Sequence, residues 1–454
     1  MILKVGTFNI NSVEFSDKTR LEGQTLTINK SEMLDMVLQD PNIADATLDI
    51  AHPGDPTRII GYGNVIEPRL KIEGPGVVYP GVCGRSTDMV GSGTTYRMAG
   101  VAVIECIDRG STTESYEGED RQWGREQELP EGAGDGPRDA IHQRFIDMSG
   151  PGAVTPYAST INICLVITPI QGLPAEEQHY ISASGAYKII DRIADVMKEV
   201  EPDSVETFDT TPYPDLPTIA YIPHMASTEP VVGAQGTYGT SIYGQVRLSA
   251  PWYLSGTELL DGAVVGGGHE AVSGGGSTWI MANNPIVLDL IRRHGKDVNF
   301  VGCIIQRTNW TNQSEYRVVA DRTAHLATQL KVDGAIITTD IRGQRWVGTM
   351  LTLSACEQAG IKAVLLTEEE DNENGAAPPF LFTPPEFRSA VSTGTGDVPG
   401  FDAVTTVIGE KKPHQNWYQS LAGLHGRYGI AHVKDYYGLG QQSYADFFSN
   451  PAAS

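Results

Sequence analysis

Val298-Asn-Phe-Val-Gly-Cys-Ile-Ile305, followed by 317–331 (RVVADRTAHLATQLK), Ala335-Ile-Ile-Thr338, 347–359 (VGTMLTLSACEQA) and Ala363-Val-Leu-Leu366, is the stretch whose reading decides the fold. Short apolar runs rich in β-branched residues alternate here with longer segments in which apolar residues recur at helical spacing. Strands of this kind, each followed by a helix, pair in parallel, because only a crossover returns the chain to the same end of the sheet. The reading is therefore an α/β fold. Such sheets place ligand sites at the carboxyl ends of their strands.

Working outward, Asn284-Pro285 opens a helix that stops at Arg292-Arg293-His294-Gly295, with cations in its last turn and glycine at the end. A strand at 218–222 follows the rigid connector Tyr213-Pro-Asp-Leu-Pro217, and a polar, glycine-rich passage runs on to about 245. An apolar strand at about 160 to 169 precedes a helix at about 183 to 200, spaced through Ala186, Ile189, Ile190, Ile193, Val196 and Met197. Earlier residues carry short β-branched runs cut by Gly and Pro. The expected organisation is a mostly β N-terminal region over 1–160, an α/β middle region over 161–260, an α/β domain over 261–411 and a C-terminal arm over 412–454. Within the first region, residues from about 110 to 142 are too polar and charged to offset the entropy of ordering, and read as a surface insertion. The whole is a mostly β N-terminal region followed by a mainly parallel sheet flanked by helices.

The net charge of −23 repels phosphate backbones and anionic headgroups, so nucleic acid and membrane surfaces are not expected partners. The five scattered cysteines contain no Cys-x-x-Cys pair, which speaks for a reducing cytoplasm and against a disulfide framework. Cys303 and Cys356 read as small core residues, and His52 as a surface residue. No apolar run approaches membrane-spanning length.

Several phrases carry a resemblance. They are Val65-Ile-Glu-Pro-Arg-Leu-Lys-Ile-Glu-Gly-Pro-Gly76, Val90-Gly-Ser-Gly93, Ile146-Asp-Met-Ser-Gly-Pro-Gly152, Tyr213–Pro217, Asp261-Gly-Ala263, Asn283-Asn-Pro285, and Arg293-His-Gly-Lys296 with Asn299-Phe-Val-Gly302. In wording and order the chain resembles, over residues 1 to about 410, the component B proprotein family of the glycine, sarcosine and betaine reductases. The resemblance implies a loop, between the Asp-Gly-Ala strand and the Asn-Asn-Pro helix, whose cysteine becomes a pyruvoyl group as the chain is cleaved. Its carbonyl captures an amine, and a separate subunit bearing a selenocysteine or cysteine completes reductive C–N cleavage.

Here that loop reads Val264-Val-Gly-Gly-Gly-His-Glu-Ala-Val-Ser-Gly-Gly-Gly-Ser-Thr-Trp279, and His269 and Ser273 stand at the two cysteine positions. Without the thiol no pyruvoyl is expected and the chain should stay intact. His269 and Glu270 supply either a general base with its orienting carboxylate or two ligands for zinc, iron or manganese, with His224 as a third ligand. Ser273 joins them as a candidate catalytic residue. Tyr238, Tyr243 and Trp279 are candidates for an aromatic box around a cationic amine. The leading expectation is a cytoplasmic subunit of a component-B-like hetero-oligomer acting on a small amine or related nitrogen compound. Its rivals are a metal-dependent hydrolase or lyase using His269 and Glu270, and a non-catalytic scaffold.

Overall fold

The structure, a computed structural model, describes residues 1–108, 145–153, 155–226, 241–244, 251–266, 277–308, 313–339, 344–369, 380–395 and 402–409. The charged stretch at 110–142 and the arm at 412–454 lie outside them. As expected, the first part is mostly β and the later part is a mainly parallel sheet between helices.

In chain order the strands of the first part used below are β1 (Ile2–Asn9), β2 (Ile43–Ala51), β3 (Tyr62–Ile66), β4 (Arg69–Glu73), β5 (Gly93–Ala99), β6 (Val101–Ile107), β7 (Ile161–Pro169) and β8 (Ser204–Asp209). One sheet runs β8-β1-β5-β4 and another β2-β7-β6-β3. Hydrogen bonding therefore continues across residue 160, since β7 lies between β2 and β6. The helix α1 (Lys30–Val37) and the longer α2 (Ala175–Ala194) cover the second sheet. α2 begins eight residues before the apolar spacing suggested, because several of the positions it buries in its first turns are polar, Gln178, His179 and Ser182, and so carry no periodic apolar signal. β6 is buried along its whole length: Val101 and Val103 face the core under α2, whereas Ala102, Ile104 and Cys106 face the opposite core.

The later part adds β9 (Thr218–Ala226), β10 (Trp252–Leu254), β11 (Asn299–Thr308), β12 (Gly334–Thr338), β13 (Lys362–Glu369) and β14 (Ala390–Thr395), ordered β10-β11-β9-β12-β13-β14. All neighbours are parallel except the edge pair β10–β11. Three helices, α3 (Gly256–Leu260), α4 (Thr278–Ala282) and α5 (Pro285–Arg293), share one face with Tyr221 and Met225 of β9. The opposite face packs Ala220 and Ile222 against α6 (Gln313–Gln329) and α7 (Gln344–Gln358). α5 starts as read, with Asn284 accepting from the Val287 amide at 3.1 Å and Pro285 in first position. Cys303 and Cys356 are fully buried, and His52 is exposed beside Asp55.

The two parts are locked together around Glu67. Its carboxylate accepts from Arg69 Nε at 2.6 Å and from Arg97 Nε at 2.9 Å, and Arg97 adds a second, shorter contact. Burial pushes this carboxyl up, but the Arg97 and Arg69 charges more than offset that and hold it below the ordinary carboxylate range. Arg69 also donates to the carbonyls of Leu260 and Ala282 and to the Asn283 side chain, so one cation closes the C-terminal ends of α3 and α4. Beside it, Asp261 accepts from Lys71, the Gly91 amide and Thr95.

Because Glu67 neutralises two buried guanidinium groups, Glu67→Gln should lower the unfolding free energy by about 3–5 kcal/mol. Glu206→Gln, at the half-exposed pair with Arg292, should cost about 1 kcal/mol or less. Denaturant unfolding of the two variants checks the difference, and equal losses would refute the central role given to Glu67.

Candidate functional site

Asn64 brings the two ends of the glycine-rich loop together. Its side-chain amide donates to the Gly266 carbonyl at 2.7 Å and to Thr278 Oγ1 at 2.8 Å, and its carbonyl accepts from the Thr278 amide at 3.0 Å. Thr278 Oγ1 in turn donates to Gly266 at 3.1 Å. Residues 267–276 therefore leave and return through one buried clamp. At the return, Ser277 caps α4 by accepting from the Ile280 amide, and its hydroxyl meets Tyr157 OH at 2.6 Å. Tyr157 stands edge-on to Trp279 at 5.8 Å between centroids.

Strand alternation sets what surrounds the clamp. Asn64 pairs across the ladder with Glu105, and both side chains share the α2 face with Ile66 and Val103. Glu105 is 3% exposed and lies over Gly63, where an added Cβ would come within 3.1 Å of its carboxylate. Tyr187 of α2 points its hydroxyl toward Thr278 without meeting hydrogen-bond geometry, and the Arg85 guanidinium covers its ring at 5.3 Å. Cys83 completes this niche. Burial and the Glu105 carboxylate push its thiol up to about 12, so it is a thiol and not a thiolate at neutral pH. Glu105 thus puts a buried carboxylate beside the loop's foot.

His269, Glu270, Ser273 and Tyr238 lie outside the described residues. Tyr243 and Trp279 are core residues. The Tyr243 hydroxyl donates to Glu258 at 2.8 Å and accepts from the Val90 amide at 3.2 Å, and its backbone presses on Gly81, where no Cβ would fit. His224 is 2% exposed on β9 and faces α7 with Ala220 and Ile222, whereas the loop's flanks Val264 and Trp279 pack with Tyr221 and Met225 on the other face. Its Nδ1 meets Thr349 Oγ1 at 3.3 Å, its Nε2 has no partner among the described residues, and burial pushes its pKa down to about 3. Among the described residues no three His, Cys, Asp or Glu side chains gather to hold a metal. Asn64, Glu105, Cys83 and Tyr187 escaped the sequence reading. Their available signal was a polar residue inside an apolar strand, Asn64 in YGNVI and Glu105 in VAVIECI.

The family model described as glycine/sarcosine/betaine reductase component B subunits matches residues 1–427. The chain is 32% identical over 418 residues to the sarcosine reductase complex component B subunit alpha of Peptoclostridium acidaminophilum, covering 90% of this chain and 89% of that one. It is 30% identical over 390 residues to the glycine reductase complex component B subunits alpha and beta of Acetoanaerobium sticklandii, covering 83% and 81%. Against the betaine reductase complex component B subunit alpha of Peptoclostridium acidaminophilum it is 30% identical over 423 residues, covering 90% and 88%. No solved structure matches the chain.

Asn64→Ala removes the clamp and leaves the Thr278 amide short of an acceptor, at a cost of about 1–3 kcal/mol. Limited proteolysis should then cut faster within 267–276, and an unchanged cleavage pattern would refute the clamp. His224 gives a pH signature. The folded ring stays neutral down to about 3, whereas the unfolded ring takes up a proton near 6.5. Stability from this group is complete above about pH 6.5 and declines as pH falls toward 3. His224→Asn should flatten that acid limb in melting curves recorded against pH.

Proposed function

The chain belongs to the glycine/sarcosine/betaine reductase component B subunits, and from that membership we propose that it is a subunit of a reductase complex that cleaves a C–N bond of a small amine without a pyruvoyl group of its own. The observation that carries this reading is the match over residues 1–427. The family's phrases around Glu67, Asp261 and Asn283 support it by bracing both flanks of the loop.

The sequence contains no cysteine between Cys164 and Cys303, so the loop holds no thiol from which a pyruvoyl group could be made. In our reading His269 moves a proton to or from the substrate nitrogen, Glu270 orients the imidazole and Ser273 hydrogen-bonds the substrate. Tyr243 and Trp279, buried as they are, support the loop and leave Tyr238 as the aromatic residue of the proposed box. The reducing thiol or selenol belongs to a separate subunit, which makes the functional unit a hetero-oligomer.

His269→Ala tests the assignment. With the partner subunit present, turnover should fall by about 10²–10⁴-fold, the contribution of a positioned acid–base group. Denaturing mass spectrometry should show one full-length chain. Cleavage at Ser273 with a pyruvoyl terminus would restore the inherited chemistry, and unchanged turnover would move the site elsewhere. Stoichiometric metal that His269→Ala releases would favour the metal-dependent hydrolase or lyase instead.

A further inference from the structure

We propose that the C-terminal arm, from residue 410 onward, docks within its own chain on the open half of the parallel sheet, across Ile336, Val364, Leu366 and Val391. The inference is independent of the reaction assigned above.

The open half follows from strand pairing. Tyr221 of β9 pairs with Ile336 of β12, Ile336 with Val364 of β13, and Leu366 with Val391 of β14, so these side chains share one face. On the other face α6 and α7 cover Ala335, Ile337, Ala363 and Leu365, none of them more than 5% exposed. On this face α3 and α5 close over Phe300 of β11, at Gly256 and Val287, and among the described residues no helix continues over β12, β13 or β14. Ile336, Val364 and Leu366 are in consequence only partly buried, and Val391 is 51% exposed. Parallel sheets have both faces covered, because their strands are apolar on both sides. This half-face therefore calls for a cover.

Position, charge and composition name the occupant. The strand Thr406–Gly409 pairs with Thr57–Ile60, and its Ile408 is buried in the core that Ile336 and Leu366 border. The arm thus starts beside the open half. It holds Lys411, Lys412, Arg427 and Lys434 against three carboxylates, a net charge of +1, whereas residues 1–409 carry −24. The rest of the chain attracts it, and Trp417, Tyr418, Leu421 and Leu424 give it apolar groups to bury. Residues 109–144, the next longest stretch outside the described residues, carry nine carboxylates against five cations and would be repelled.

The test uses the full-length chain, alone and with its partner subunit. A benzophenone-bearing residue in place of Val391 should, on illumination, couple to a position within 410–454. In a mixture of nitrogen-15-labelled and unlabelled chains, each coupled pair should be wholly light or wholly heavy. Pairs of mixed label, as a second copy would give, coupling to the partner subunit, or coupling confined to other segments all overturn the proposal. Trypsin supplies an independent readout at Arg427 and Lys434. Val391→Asp puts a charge on the face at a half-exposed position and should speed cleavage there by about tenfold or more, whereas Val391→Ile should keep the wild-type rate. Equal rates in wild type and both variants would show that the arm does not lie on this face.

Discussion

Glu67 carries a carboxylate into the interior, and an unpaired charge there would cost more than the net stability of a whole domain. Two guanidinium groups from neighbouring strands meet it, and the positions of Arg69 and Arg97 are thereby set to within hydrogen-bond tolerance. Arg69 uses its remaining donors on the ends of α3 and α4, which lie on either side of the glycine-rich loop. The first part of the chain thus determines where residues 190 positions later can sit. Apolar packing alone would bind the same elements together, but it would tolerate sliding that a bidentate ion pair does not.

A second polar device, Asn64, works at smaller scale on the same loop. Glycine-rich segments gain freedom of φ and lose order, so a loop of this composition positions side chains only if its ends are held. Asn64 holds both ends with one amide, and Glu105, on the adjacent strand, places a carboxylate beside them. The arrangement fixes the foot of the loop from both sides.

The phrases that carry the family resemblance are mostly architectural. Glu67, Arg69 and Lys71 come from the first of them, Gly91 from the second, and Asp261 and Asn283 from two more. His294, in Arg293-His-Gly-Lys296, accepts from the Phe300 amide at Nδ1 and meets the Thr211 carbonyl at Nε2, so it joins two backbone segments. A chain can therefore keep these phrases and alter the loop they brace. The loop's departure from cysteine is compatible with an unaltered framework, because none of these contacts involves the loop's own side chains.

The α/β class, the parallel sheet and the order of its elements over 285–366 were legible in the sequence because helical and strand periodicities are local and the chain writes them directly. The core cysteines, the cap at Asn284 and the stop at Gly295 were legible for the same reason. The buried network was not. Glu67, Arg97 and Asp261 come together only through strands distant in sequence, and no local pattern encodes a contact across 190 residues. Tyr243 and Trp279 likewise looked available to a ligand, and only the shared core of the two parts shows that they are packed against neighbours. Asn64 and Glu105 stand beside the loop's ends through strand register, and His224 is separate from the loop's flanks through the side of the sheet it faces. Register and facing are properties of paired strands, so only the tertiary structure decides them.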